Sequence, residues 1–479
     1  MKGRTCSILA AMIAFLSGVV PALGGPPRPN FIVILTDDQG YGDLGCFGGK
    51  VKTPRIDRMA AEGQRLTSFY VAAPVCTPSR AALMTGCYPK RIDMATGSRL
   101  AVLLDADHKG LNPSEITIAE VLKSVGYRTG IFGKWHLGDQ PAFLPTRQGF
   151  DEFFGMPYSW DIHPTHPNNK KYHFSPLPLL DGETVLELDP DLDFMTARIT
   201  QRAVAFIEAN KDRPFFLYLA EFLPHRPLHV APPFLKNVPQ AIKDQLAAEV
   251  QSHAPDNNKV RDELYPYAIE EIDWSVGQVL DTLKRLGLDD KTLVFFTSDN
   301  GPIGNGKGSA GPLRGSKGTT YEGGMRVPAV VRWPGHIPAG RVNDKLITAM
   351  DLLPTFARLA GARVPKDRVI DGKDIWPVLT EDAPSPHDAF FYYRENTLEC
   401  VRVGPWKLRV EAGKPAALYN LDEDIGERNN VLHAHPDIAE QLLARIKKFN
   451  DDITSHSRPA GYVENPKPLS ARYTNGGFQ

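Results

Sequence analysis

The sequence predicts an α/β protein: a mostly parallel central sheet flanked by helices, followed by a smaller C-terminal α+β subdomain. Three observations carry that reading. Short continuous apolar runs of strand length alternate with longer stretches of helical period. The apolar runs show no polar alternation, as expected of strands covered on both faces. From about residue 366 the rhythm changes to closely set short strands and one closing helix.

In chain order, residues 31–36 form the first strand run and end at Asp37-Asp38. Thr53-Pro54 opens an amphipathic helix that runs to about Gly63. Residues 115–124 are helical in period, and 127–132 return to strand. Residues 160–190, rich in Pro, His and Asn, read as a long loop insert of the kind that shapes a binding site. Residues 196–209 and 264–286 are longer helical stretches, with strand runs at 215–220 and 292–298. In the tail, 389–394, 398–403, 406–410 and 417–421 read as strands and 438–449 as a helix.

The 479 residues would allow about three domains. The division expected is 1–24 as a signal peptide, 25–365 as the α/β unit and 366–479 as the α+β subdomain. Lys2 and Arg4 give a positive start, residues 8–20 are an apolar run short for a membrane span, and Ala22-Leu23-Gly24 offers a small-residue exit. A secreted or periplasmic protein without a stable membrane anchor is therefore expected. Basic and acidic residues number 55 and 56, which gives no pull toward nucleic acid or a membrane surface. Of five cysteines, Cys6 leaves with the signal, and Cys46, Cys76, Cys87 and Cys400 are too few for a disulfide framework. Paired Cys/His spacing suited to zinc is absent.

The chemistry concentrates in a few segments. In Cys76-Thr77-Pro78-Ser79-Arg80, Pro78 suits the first turn of a helix that continues from Ser79 to Thr85 and closes at Gly86. Cys76 then sits at the helix mouth, where free N–H groups favour an anion, and Arg80 can project to the same face. Asp37-Asp38 and Asp299-Asn300 each follow a strand, so an all-oxygen site for a hard divalent cation can form beyond the strand ends. Gly301 to Lys307 nearly reads as a phosphate loop, but Gly308 stands where Ser or Thr is required, so a nucleotide site is not expected.

These segments resemble the type I, formylglycine-dependent sulfatases, with their arylsulfatase A and N-acetylgalactosamine-6-sulfatase branch the nearest by motif and an alkaline-phosphatase-like fold. The match rests on CTPSRAALMTG at 76–86, GKWHLG at 133–138, PHRP at 224–227 and LRGSKG at 313–318. It extends weakly to Gly155-Met-Pro-Tyr-Ser159-Trp-Asp161 and to the tail strands, nearly the whole mature chain. The resemblance implies a calcium-dependent sulfatase acting on a sulfated carbohydrate or an aryl sulfate. Cys76 would be converted to formylglycine by a maturation enzyme; one hydroxyl of the hydrated aldehyde attacks sulfur, and the other later expels sulfate.

Residue by residue, the resemblance implies that Asp37, Asp38, Asp299, Asn300 and residue 76 bind Ca2+ and that Arg80 braces the nucleophile. Lys134, Lys317 and Ser159 would bind sulfate. His136 would take the diol proton, and His225 would serve as general acid to the leaving oxygen. Where the family pattern has Thr-Gly-Arg, this chain has Thr85-Gly86-Cys87. Arg91, or a Cys46–Cys87 bridge, would have to make up that loss. Two other readings remain open: a phosphonate or phosphodiester hydrolase of the same superfamily, and a non-catalytic protein that binds sulfated glycans.

Overall fold

The structure, a computed structural model, describes residues 28–252 and 258–473, so the leader assigned to residues 1–24 lies outside it. Ten strands make the central sheet: β1 (Asn30–Thr36), β2 (Gln64–Leu66), β3 (Arg128–Lys134), β4 (Glu152–Met156), β5 (Pro178–Asp181), β6 (Thr184–Leu188), β7 (Phe215–Ala220), β8 (Thr292–Ser298), β9 (Ala329–Arg332) and β10 (Arg341–Asn343). Their spatial order is β10-β2-β9-β8-β1-β7-β3-β4-β5-β6. The five strands from β8 to β4 run parallel, and antiparallel pairs lie on either side of them.

The central strands read as unbroken apolar runs because both faces are covered. Every residue of β1 is buried; Phe31, Val33 and Leu35 enter one core, Ile32 and Ile34 the other. On the second face lie α1 (Pro54–Glu62), α4 (Met195–Ala209) and α5 (Tyr265–Arg285), contributing Met59, Phe206 and Ile272. The first face is covered by α2 (Cys76–Thr85), α3 (Ile118–Lys123) and α6 (Leu352–Ala360), with Leu83, Leu122 and Phe356. Each large apolar side chain buried this way contributes roughly 1.5–3 kcal/mol.

The C-terminal unit is a separate antiparallel sheet, β11 (Phe390–Arg394), β12 (Thr397–Val403), β13 (Trp406–Glu411) and β14 (Lys414–Asn420), covered by α7 (Pro436–Ser455). Phe390, Leu408 and Leu442 share one apolar core with α2, and Phe390 and Phe391 pack on Tyr88, which follows the helix that Cys76 begins.

Three local readings are corrected. The helix expected over 115–124 is only Ile118–Lys123, because Thr117 caps it: Glu120 N–H donates to Thr117 Oγ1, and Thr117 N–H donates to Glu120. The insert is not loop throughout, since β5 and β6 form a hairpin turning at Gly182 (φ 61°) and extend the main sheet. Its strands, PLLD and TVLEL, are short and show no clean alternation, and only Leu179, Leu180 and Val185 are buried in a core, with Leu188 partly buried against one. Finally, α2 begins at Cys76 and not at Ser79, with Ser79 N–H already donating to Val75 O at 3.2 Å.

Candidate functional site

Strand register brings the motifs together. Thr36 of β1 lies opposite Ser298 of β8, so Asp37-Asp38 and Asp299-Asn300 leave the sheet level with one another. On the other side Leu35 pairs with Ala220, Ala220 with Gly133, and Lys134 with Met156. The segments holding His225, Lys134, His136 and Ser159 therefore start from the same edge, the carboxyl end of the parallel strands. Gly133 (φ 116°) permits this: a Cβ there would stand 1.8 Å from Ala220 O.

All ten residues of α2 are buried. Its C-cap, Gly86 (φ 69°), donates to Ala82 O, and Gly86 O accepts from the N–H groups of Asp371 and Gly372, each at 2.9 Å. Cys76 is 3 % exposed. Burial pushes its thiol pKa up, while Lys134 and Lys317 pull it down. In this unmodified chain Sγ stands where the resemblance puts an oxygen of hydrated formylglycine.

The carboxylates crowd around it. Ligand atoms of Asp37, Cys76 and Asp299 lie within 4.8 Å of one another, as do those of Asp37, Asp38 and His225. Arg80 Nε donates to Asp299 Oδ2 at 2.9 Å and Nη1 to Lys134 O at 3.0 Å. Lys134 Nζ donates to Asp37 Oδ2 at 2.6 Å, and Lys317 Nζ lies 2.7 Å from Asp38 Oδ1. Asn300 Nδ2 donates to Asp38 Oδ1 at 2.7 Å. Burial alone would raise Asp37, but Lys134, His225 and Arg80 hold it well below the usual carboxylate range. Asp299 is pushed up to about 7 by burial and by the Asp37 charge. Asp37 Oδ1 and Asn300 Oδ1 are buried without a hydrogen-bond partner.

A cavity of about 450 Å³ opens onto Cys76, His136, Ser159, His225 and Lys317 together. His136 (φ 63°) sets Nε2 2.9 Å from Leu103 O; a carbonyl only accepts, so Nε2 carries the hydrogen and Nδ1 keeps its lone pair. Nδ1 has no hydrogen-bond partner, and burial with Lys134 holds the ring pKa well below the ordinary histidine value. This buried imidazole is neutral and has a free acceptor nitrogen. His225 is oriented the other way, with Nδ1 donating to Arg226 O and Nε2 3.5 Å from Asp38 Oδ2. Ser159 Oγ is buried without a partner. Lys307, from the rejected phosphate-loop segment, is exposed and pairs with Glu263 at 2.8 Å.

The structure decides the question raised by Cys87. Cys46 and Cys87 are both free and lie on opposite faces of the main sheet, so no bridge joins them. Arg91 binds Asp371 through Nε at 2.9 Å and Nη2 at 2.8 Å, and Asp371 in turn caps Gly86. A second guanidinium, missed in the sequence, comes from the tail: Arg458 donates to Cys87 Sγ at 3.4 Å and to both oxygens of Glu115 at 2.6 and 3.0 Å. No local signal links residues 371 positions apart. The cavity's outer wall was expected only in part. Leu100 and Val102 come from a loop without a motif, whereas Asp161, His166, Tyr172 and Phe174 come from the weakly matching segment and the insert expected to shape a site.

Comparison with known proteins gives a consistent picture. The sulfatase family model matches residues 29–362, and that for the C-terminal region of N-sulphoglucosamine sulphohydrolase matches residues 316–452. Arylsulfatase A of Homo sapiens is 37% identical, covering 93% of this chain and 90% of its own. N-acetylgalactosamine-6-sulfatase of Rattus norvegicus is 41% identical over 81% of this chain and 72% of its own. The crystal structure of Ps i-CgsB in complex with k-i-k-neocarrahexaose superposes with a TM-score of 0.76 at 30% identity, covering 90% of this chain and 94% of that one.

Proposed function

This chain belongs to the sulfatase family, with its alkaline-phosphatase-like fold and sulfuric ester hydrolase activity, and on that premise we propose that it hydrolyses the sulfate ester of a sulfated carbohydrate, using formylglycine made from Cys76 and bound calcium. One observation carries the reading: the ends of five parallel strands converge with the start of α2 on one site, where a cavity lined by Cys76, His136, His225 and Lys317 opens beside the buried Asp37, Asp38, Asp299, Asn300, Arg80 and Lys134. The carbohydrate preference is supported by the names of the N-acetylgalactosamine-6-sulfatase relative and the neocarrahexaose complex.

The donor set fits a calcium ion. Asp37, Asp38, Asp299 and Asn300 would hold it together with residue 76, and Asp37 Oδ1 and Asn300 Oδ1 are the buried oxygens left without a partner. When bound, calcium supplies Lewis-acid polarisation of the sulfate and offsets the crowded carboxylates. When formed, formylglycine supplies a hydrated aldehyde whose hydroxyl attacks sulfur.

The remaining work falls to the chain's own side chains. Arg80 fixes Asp299 and the end of β3, which holds α2 against the acidic cluster. Lys134, Lys317 and Ser159 face the sulfate, the two ammonium groups stabilising charge that grows as the S–O bond breaks. His225, protonated at Nε2, gives that proton to the leaving sugar oxygen, which otherwise departs as a poor alkoxide. His136 Nδ1 accepts the hydroxyl proton at residue 76. Overall, one water and one sulfate ester give an alcohol and hydrogen sulfate.

Residues 25–365 would form the catalytic unit, with 366–479 bracing it from behind. Export follows from the signal assigned to residues 1–24, and among the described residues no helix is long and apolar enough to cross a membrane. Because Cys76 is 3 % exposed, a formylglycine-generating enzyme would have to act before folding closes the site. The test is co-production with such an enzyme, peptide mass at residue 76, and sulfate release from sulfated sugars with Cys76→Ala as the blank. Release that depends on converted Cys76 supports the reading. Equal release by Cys76→Ala, or turnover of phosphonates alone by converted protein, refutes it.

A further inference from the structure

The outer wall of the cavity carries information about the leaving group. Among the described residues lining it, Lys317 is the sole lysine or arginine, and that ammonium is already engaged with Asp38. His225, protonated for its role as acid, also turns to Asp38, at 3.5 Å, and the other charge on the wall is negative. Asp161, with a side chain 27 % exposed, lines the cavity two residues beyond Ser159. Burial would raise its pKa, but the charges of His225, Lys134 and Lys317 hold it low, so the carboxylate is ionised.

The two carboxylate oxygens of Asp161 are not equivalent. Oδ1 is buried, whereas Oδ2 is the more open of the two and lies 3.8 Å from His166 Nε2, beyond hydrogen-bond distance. His166 Nδ1 accepts from Asn168 N–H at 3.0 Å, which fixes the ring with its proton on Nε2. An ionised carboxylate oxygen without a donor costs desolvation energy until a donor arrives.

Beside His166 the wall is apolar, with Phe174 edge-on to that imidazole at 5.4 Å. Tyr172 and Phe174 stack with ring centroids 5.4 Å apart and planes at 19°, and Leu100 is 46 % exposed at the mouth. Lys170 and Lys171 sit on the same insert but do not line the cavity; Lys171 Nζ covers the Tyr172 ring at 4.9 Å. A hydroxyl-bearing ring with an apolar C–H face matches both features. A second anionic group matches neither, because it would meet Asp161 while Lys317 and His225 are both turned to Asp38.

Resting on the sulfatase reading above, we propose that this wall is a subsite for a sugar ring that carries no charge other than the sulfate being removed. Asp161 Oδ2 accepts a hydrogen bond from a ring hydroxyl, and the ring's apolar face rests against the edge of the Tyr172–Phe174 pair. At about 450 Å³ the cavity suits one or two sugar units, so the enzyme acts on short or terminal substrates.

The test measures kcat/KM of the matured, calcium-loaded enzyme on a neutral sugar monosulfate, the same sugar with a second sulfate, and an aryl sulfate. The wild type should favour the monosulfate over the disulfate by about tenfold or more, the scale of one like-charge contact in a partly buried site. In Asp161→Asn the monosulfate-to-aryl ratio should fall about tenfold, as expected when a charged hydrogen bond becomes a neutral one, and the penalty on the disulfate should shrink. Tyr172→Ala should raise KM for the sugar about fivefold with kcat nearly kept. Wild-type turnover of the disulfate equal to or above the monosulfate overturns the proposal while leaving the sulfatase reading standing, and so does an Asp161→Asn enzyme with unchanged ratios. No Cys76-dependent release from any of the three overturns both.

Discussion

Replacing Lys407 by Met tests whether the C-terminal sheet positions Lys317, the lysine proposed above to bind sulfate. Lys407, on β13, is buried, and its ammonium lies 2.9 Å from each of Glu322 Oε1, Glu427 Oε1 and Thr320 O. Thr320 and Glu322 belong to the segment that carries Lys317, whose N–H donates to Pro302 O while Gly318 N–H donates to Pro74 O, two residues before Cys76. The ammonium and neighbouring arginines hold Glu322 down to about 2 against burial, whereas burial raises Glu427. Without the ammonium, two buried carboxyl groups lose their shared partner. Breaking a buried pair from one side costs about 3–5 kcal/mol. A shift of about 1 Å at Lys317 would lower kcat/KM by roughly 10- to 100-fold. The assay is urea denaturation at saturating calcium, followed by sulfate release per folded molecule. Lys407→Met combined with Glu427→Gln should recover about half of the lost stability, because one stranded charge is gone. A single-variant loss below about 1 kcal/mol, or a double variant no more stable than the single, would refute the coupling.

Three further outcomes are expected. Chelating calcium should lower Tm and adding it back should restore Tm, by the equivalent of about 3 kcal/mol at a hundredfold excess over Kd; an unchanged Tm would remove calcium from the site. Glu221 and Glu271, away from the cavity, are raised by burial to about 7 and about 8. A carboxyl raised in the folded state binds its proton there more tightly than when unfolded, so calcium-saturated protein should lose stability between about pH 5 and 8. Glu271→Gln should flatten that slope, and a slope left intact would count against the shift. Arg458→Met should cost about 2 kcal/mol, because Glu115 loses both hydrogen bonds and Cys87 its neighbour; a denaturation midpoint matching wild type would show that Arg458 does not support α2.

Much of the site was legible because its signals are local. Asp37-Asp38 follow a seven-residue apolar run, and that run is β1. Cys76 and Arg80 share α2, and Gly86 caps it as the glycine rule predicts. Helices α4 and α5 fall within about a residue of their expected bounds, because long amphipathic stretches carry a strong period. The β5–β6 hairpin was missed because a short strand on the sheet's flank, with few buried side chains, leaves little pattern. The Cys46–Cys87 idea failed because sequence distance says nothing about which face of a sheet a residue occupies.

The sequence alone determined the class of protein and the types of group available: apolar runs that must be buried, acids placed at their ends, a cysteine opening a helix, and lysines and histidines in motif. These follow from nearest-neighbour chemistry and from the 2.0 and 3.6 periods of the backbone. Tertiary structure alone decided which groups meet. Register set Thr36 beside Ser298, the tail brought Arg458 to Cys87, β13 sent Lys407 to Glu322, and a loop without a motif joined the insert in the wall around Asp161. Contacts of that kind depend on the packing of whole layers, and no local stretch of the chain encodes them.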